Sequence, residues 1–170
     1  MAIHIVLVEP EIPPNTGNIA RSCAATGSVL HLVKPLGFSV DDRSLKRAGL
    51  DYWPYVTVEI HEGLKEFMEE YAPQCQPAAG KNAPRMFLAT TKGTHSYSEA
   101  AFADGDMILF GRETAGLPRE FIAEREEADP GCSIRIPMSE DTRLRSLNLS
   151  NSAAIVLFEA LRQLGFPNLK

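Results

Sequence analysis

The run Ile3-His4-Ile5-Val6-Leu7-Val8 constrains this chain most. It is rich in apolar residues and shows no polar alternation, which suits a strand covered on both faces. A sheet built on such a strand needs helices above and below it. The remaining sequence supplies them in alternation with further strands. After the Pro-rich residues 9–14, residues 16–26 read as a helix, with Asn15 or Thr16 as N-cap and Gly27 as the stop. Residues 29–33 form the next strand. Asp41 or Asp42 caps a short helix through Ala48, ended by Gly49. Residues 56–60 are a strand, and residues 62–71 a helix with Leu64, Phe67 and Met68 on one face. Residues 72–84 carry Pro73, Pro77, Gly80 and Pro84 and read as a loop inside one domain.

Residues 86–90, 107–110 and 133–136 are three more strands, and residues 118–126 a short helix with Pro118 at a permitted early position. The last helix starts near Asn148 or Leu149 and runs to Leu164, with Gly165 and Pro167 ending it. Leu149, Ala153, Val156, Leu157, Ala160, Leu161 and Leu164 step by three and four along it, a helical stripe. Strands alternating with helices predict an α/β fold: a mainly parallel sheet flanked by helices, in a single domain over residues 1–170.

In such sheets ligands bind beyond the carboxyl ends of the strands. Three polar loops fall there: residues 15–21, residues 111–118 and residues 146–152. Singly, Gly111 and Gly116 read as turn glycines, Ser150 and Asn151 as helix-start groups, and Arg21 as a surface arginine. Together, in one order along one chain, they read as a composite site of backbone amides, small hydroxyls, Asn and Arg. Glycine loops of this kind admit a planar ligand close to the main chain.

Other chemistries lack their signatures. There is no G-x-G-x-x-G fingerprint, and Leu117-Pro118 stands where a P-loop carries Lys-Ser/Thr. There is no G-x-S-x-G elbow and no H-E-x-x-H. The three cysteines, Cys23, Cys75 and Cys132, form no C-x-x-C pair. The four histidines, His4, His31, His61 and His95, show no metal-ligand spacing and read as strand or surface residues, so no metal is expected. Glu69-Glu70 and Glu126-Glu127 read as solvated helix faces. A net charge of −5 argues against a generic nucleic-acid coat, although local patches count for more than the sum. The longest apolar runs are about six residues against the ~20 of a membrane span. Without a basic stretch before residues 3–8, the start reads as a strand and not a signal peptide, and the cytoplasm is the default compartment.

The motifs resemble those of the SPOUT class of trefoil-knotted S-adenosylmethionine methyltransferases. Asn15-Thr16-Gly17-Asn18-Ile19-Ala20-Arg21 is similar to the first motif and Phe110-Gly111-Arg112-Glu113-Thr114-Ala115-Gly116-Leu117-Pro118 to the second. Ile134-Arg135-Ile136-Pro137-Met138 with Ser146-Leu147-Asn148-Leu149-Ser150-Asn151-Ser152 is similar to the third. Residues 9–18 and Arg47-Ala48-Gly49-Leu50-Asp51-Tyr52 resemble a small single-domain subfamily. Its members 2′-O-methylate the wobble nucleotide, cytidine or carboxymethylaminomethyluridine, of leucine tRNAs.

The resemblance implies a C-terminal trefoil knot, a homodimer with the final helix at its interface, and tRNA, through its anticodon loop, as partner. It implies S-adenosylmethionine as cofactor, leaving as S-adenosylhomocysteine, with contacts from Ala89, Thr90, Gly111, Glu113, Gly116, Ile136, Ser146, Leu147 and Ser150. Arg21 is the expected catalytic residue, with Asn15 and Asn18 positioning it or the ribose. Arg43, Lys46 and Arg47 share one face of the short helix and, with Arg143 and Arg145, are the expected RNA contacts. Two departures stand out: Arg112, where proline or serine is common, and a longer stretch over residues 139–145. The rival readings are methylation of another tRNA or rRNA ribose, a non-catalytic RNA-binding module that keeps the cofactor pocket, and, more distantly, a nicotinamide dehydrogenase.

Overall fold

The computed structural model of the chain describes residues 2–39, 52–75, 83–141, 143–144, 146–167 and 169–170. Its strands are β1 (His4–Val8), β2 (Val29–Val33), β3 (Thr57–His61), β4 (Met86–Ala89), β5 (His95–Ser96), β6 (Met107–Phe110) and β7 (Ser133–Arg135). Its α-helices are α1 (Pro13–Thr26), α2 (Leu64–Tyr71), α3 (Arg119–Ala128) and α4 (Leu149–Gln163). The seven strands form one sheet in the order β3-β2-β1-β6-β4-β7-β5. Every pairing in it is parallel.

The sheet is covered on both faces, as the β1 pattern requires. Ile5 and Leu7 point into a core shared with Ile19 and Cys23 of α1 and Val156, Leu157 and Leu161 of α4. Val6 and Val8 point the other way, into a second core with Phe67 of α2 and Leu109 of β6. Fully burying one such aliphatic or aromatic side chain is worth about 1.5–3 kcal/mol, so these two cores dominate folding. The apolar stripe of α4 faces the first core through Ala153, Val156, Leu157, Ala160 and Leu161. Cys23, Cys75 and Cys132 are buried free thiols. Among the described residues no helix is long and apolar enough to cross a membrane.

Several boundaries differ from expectation for identifiable reasons. α1 begins at Pro13, not near Thr16, because prolines are tolerated in a first turn whose N–H groups lack partners anyway. Asn15 and Thr16 are therefore buried inside the first turn, and neither is the N-cap. Gly27 does end α1, in the left-handed conformation at φ 69°. Pro118 caps α3 and is not part of it, and α3 runs on to Ala128. β5 has two residues, too few for any periodicity, and was not anticipated. The short helix expected over residues 41–48 lies outside the described residues.

One charge reading is corrected. Glu126 is not a solvated face: its carboxylate accepts from the Ser133 amide (2.7 Å), the Gly131 amide (3.0 Å) and the Thr94 hydroxyl (3.3 Å), tying α3 to the start of β7. All four histidines lie in strands, as expected, but three of them also meet one another. Parallel register sets His31 two residues beyond the partner of His4, and His61 two residues beyond the partner of His31. His4, His31 and His61 thereby stack diagonally across β1, β2 and β3, with ring centroids 5.1 and 5.3 Å apart. Sequence spacing could not reveal this, because the register between strands creates it.

Candidate active site

β6, β4 and β7 lie side by side, so the segments leaving their carboxyl ends meet at one end of the sheet. The loop after β6 closes on itself: the Arg112 amide donates to the Gly116 carbonyl (3.3 Å) and the Gly116 amide to the Arg112 carbonyl (2.8 Å). That closure explains Gly111. A Cβ there would lie 2.0 Å from the Gly116 carbonyl carbon and 2.1 Å from the Leu117 nitrogen, both rigid backbone. Gly116 sits at φ 70° with open space around it, so its requirement is conformational.

Glu113 joins this loop to the start of α1. One carboxylate oxygen accepts from the Glu11 amide (2.9 Å), and the other from the Ile12 amide (3.2 Å) and the Asn15 side-chain amide (3.0 Å). Glu11 answers in the opposite direction, accepting from the amide (3.1 Å) and hydroxyl (2.7 Å) of Thr114. Asn15 carries the connection onward: its Oδ1 accepts from Asn148 Nδ2 at 3.0 Å. Asn148 in turn caps α4, its Oδ1 accepting from the Ser150 amide (2.9 Å) and the Ser150 hydroxyl (2.7 Å). One polar relay, Glu113 to Asn15 to Asn148 to Ser150, thus locks all three polar loops together.

The relay walls one side of a cavity of about 590 Å³. Asn15, Ala89, Thr90, Gly111, Glu113, Gly116, Ile136, Ser146 and Leu147 all line it. Ser150 does not: it is buried beneath the wall, holding Asn148. Asn18 and Arg21 are exposed on α1 and do not line the cavity. The Arg21 guanidinium lies over the Tyr52 ring, 4.3 Å from its centroid. Arg112 forms an ion pair with Glu9, which stands at φ 54° just after β1. Arg143 is bound bidentately by Asp141, with Nε at 2.9 Å from one oxygen and Nη2 at 2.6 Å from the other. Arg43, Lys46, Arg47 and Arg145 lie outside the described residues.

Sequence reasoning missed Glu11, Thr114, Asn148 and Tyr52. Asn148 carried a usable signal, since an Asn two residues before a Ser at a helix start is a capping pattern. Glu11 and Thr114 fall within the quoted motif stretches, but nothing signalled their pairing across 103 residues.

Comparison with known proteins agrees with this architecture. Residues 2–158 match the SpoU rRNA methylase family. A tRNA (cytidine(34)-2′-O)-methyltransferase of Methylovorus glucosotrophus (strain SIP3-4) is 52% identical over 162 residues, covering 95% of this chain and 96% of that protein. A structure solved for the 2′-OH methylation of C/U34 on tRNA is 40% identical with a TM-score of 0.81, covering 96% of this chain and 97% of that one. The SpoU methyltransferase AviRb from Streptomyces viridochromogenes, solved with its cofactor AdoMet, is 25% identical with a TM-score of 0.76, covering 96% of this chain and 60% of that one.

Proposed function

The chain belongs to the SpoU rRNA methylase family, and from that premise we propose that it is a tRNA 2′-O-methyltransferase that methylates the ribose of wobble nucleotide 34. The finer reading is cytidine or carboxymethylaminomethyluridine 34 of leucine tRNAs. The observation that carries the proposal is the relay from Glu113 through Asn15 and Asn148 to Ser150, which holds three loops around one cavity.

The cavity fits S-adenosylmethionine. Its volume of about 590 Å³ falls in the range of small-molecule pockets, about 300–1,000 Å³. Its lining offers hydroxyls at Thr90 and Ser146 and apolar surface at Ile136 and Leu147. When bound, S-adenosylmethionine supplies an electrophilic methyl group on a sulfonium. Gly111 keeps the loop after β6 closed, and Glu113 holds that loop in register with α1. Rigid placement of this kind can supply much of the rate, because a displacement needs its nucleophile aligned behind the transferred group.

Arg21 is the catalytic residue of this reading. A guanidinium keeps its charge throughout the working pH range and is a poor proton acceptor. Arg21 therefore acts as a fixed cation that orients the ribose and stabilises the developing oxyanion, while an RNA phosphate or water takes the proton. Stacking on Tyr52 sets its direction. Asn18, on the same helix face region and exposed, positions the ribose.

The reading includes a homodimer with α4 at its interface, supported by Phe158 on α4 and Phe166 just beyond it, both exposed. It also includes the C-terminal trefoil knot. In support, the chain leaves β7 between β4 and β5, lines the cavity at Ile136, Ser146 and Leu147, and returns to pack α4 in the same core as α1. Arg43, Lys46, Arg47, Arg143 and Arg145 are the proposed RNA contacts, and the cytoplasm is the proposed compartment.

The test is transfer from labelled S-adenosylmethionine to tRNA lacking the modification, followed by nucleoside mapping. A 2′-O-methyl group at position 34 of leucine tRNAs is expected. A methyl group on another tRNA or on rRNA would move the target and keep the reaction. No transfer, with S-adenosylhomocysteine still bound, would favour an RNA-binding module. Arg21→Ala is expected to lower kcat by roughly 100-fold or more and to leave S-adenosylhomocysteine affinity nearly unchanged. Wild-type turnover in that variant would remove Arg21 from the mechanism.

A further inference from the structure

The histidine stack on the α2 side of the sheet belongs to none of this machinery, since none of its residues lines the cavity. We propose that His31, His61 and Glu59 form a Zn²⁺ site that fastens edge strand β3 to β2.

The backbone brings the ligands together. Glu59 and His61 are two residues apart on β3 and so share a face. His31 on β2 is the direct register partner of Glu59. One ligand atom from each residue falls within 4.8 Å of the others. His31 Nδ1 lies 3.1 Å from His61 Nε2 and 3.6 Å from Glu59 Oε2. Zinc with N or O ligands at about 2.0–2.2 Å and tetrahedral angles separates neighbouring ligand atoms by about 3.3–3.6 Å. Two of the spacings lie close to that value, and the third lies within 4.8 Å. Two imidazoles and a carboxylate are also a donor set zinc favours.

The surrounding groups orient these ligands as metal sites require. His31 Nε2 lies 2.8 Å from His4 Nδ1. His61 Nδ1 faces Glu70 Oε2 at 3.8 Å. The Tyr71 hydroxyl donates to Glu59 Oε2 at 2.5 Å. If His31 carries its proton on Nε2 and His61 on Nδ1, each donates outward, to His4 and to Glu70. The inner nitrogens, Nδ1 of His31 and Nε2 of His61, then present lone pairs to each other across 3.1 Å, an arrangement that a cation between them relieves. Binding through these two inner nitrogens needs the proton of each ring on its outer nitrogen. Burial of His31 favours its neutral form. Phe67 and Tyr71 pack edge-on against the His31 and His61 rings and close the inner side. The Glu59 side chain is 41% exposed and gives the entry path.

The test uses the full chain without an affinity tag, dialysed against chelator and then into metal-free buffer. Zn²⁺ is titrated calorimetrically, and Co²⁺ serves as the spectroscopic probe of coordination. The expected result is one ion per chain, a four-coordinate Co²⁺ spectrum and a higher Tm with Zn²⁺. Glu59→Gln, on the accessible side, is expected to weaken binding roughly tenfold or more, and His61→Gln to abolish it with the fold checked by circular dichroism. His95→Gln is expected to change nothing. No stoichiometric ion in the wild type, or undiminished binding in Glu59→Gln and His61→Gln, would overturn the site.

Discussion

Asn148 donates from its side-chain amide to Asn15 Oδ1 at 3.0 Å, joining two residues 133 positions apart in the chain. The same Asn15 donates to Glu113 at 3.0 Å. Asn15→Asp replaces that donor with a carboxylate facing a carboxylate. The change is expected to cost about 1–3 kcal/mol in folding stability and to lower S-adenosylhomocysteine affinity. Urea denaturation and calorimetry measure both. An unshifted midpoint with unchanged affinity would mean that the relay does not hold the loops.

Gly111 and Gly116 make different demands on one loop. Gly111→Ala drives a methyl group into the backbone of Gly116 at 2.0 Å, so the loop must open. Overpacking of this sort costs about 1–3 kcal/mol or more, and cofactor binding should fall with it. Gly116→Asn meets no neighbour and only the left-handed backbone, which Asn tolerates. It is expected to bind S-adenosylhomocysteine within a few-fold of wild type. Equal losses in the two variants would contradict this division.

On the role proposed for Arg21, the Tyr52 ring beneath its guanidinium is a positioning residue. An exposed cation–π contact is worth about 0.5–1 kcal/mol, so Tyr52→Leu should reduce kcat a few-fold with little change in the KM for S-adenosylmethionine. Tyr52→Phe keeps the ring and should restore kcat. If Phe and Leu behave alike, the ring face is not what orients Arg21.

Glu126 supplies a pH-dependent part of stability. Burial alone would raise its carboxyl pKa from about 4.5, but hydrogen bonds from Ser133, Gly131 and Thr94 outweigh burial and hold it lower. A carboxyl with a depressed folded-state pKa stabilises the fold above its unfolded value and loses that contribution as pH falls through the folded one. Glu126→Gln is therefore expected to be less stable than wild type at pH 7, by about 0.5–1.5 kcal/mol given the partial exposure of the carboxylate, and the gap to narrow as pH falls below about 4.5. Denaturant midpoints across pH provide the check, and a gap independent of pH would refute the ionic contribution.

Much of this molecule was legible before its structure. The apolar run of β1 implied two covered faces, and Ile5 and Val6 do enter opposite cores. The stripe on α4 implied its buried face, and all five of Ala153, Val156, Leu157, Ala160 and Leu161 are buried. Such features follow from side-chain periodicity along a local segment, which the backbone imposes residue by residue. The loops that carry Gly111 and Ser146 meet at one cavity because parallel sheets gather loops at their carboxyl ends, whereas Ile136 was expected there only from the family resemblance.

Local pattern was silent on what the register between strands and the closure of loops decided. Glu11 meets Thr114, 103 residues away, and Glu113 meets Asn15, 98 residues away, only once distant segments are packed. His4, His31 and His61 look unrelated along the chain. Two-residue offsets between parallel strands turn them into a continuous stack. Side-chain periodicity is a property of one segment, whereas a hydrogen bond or a ligand set depends on the positions of two or three, and those positions exist only in the folded molecule.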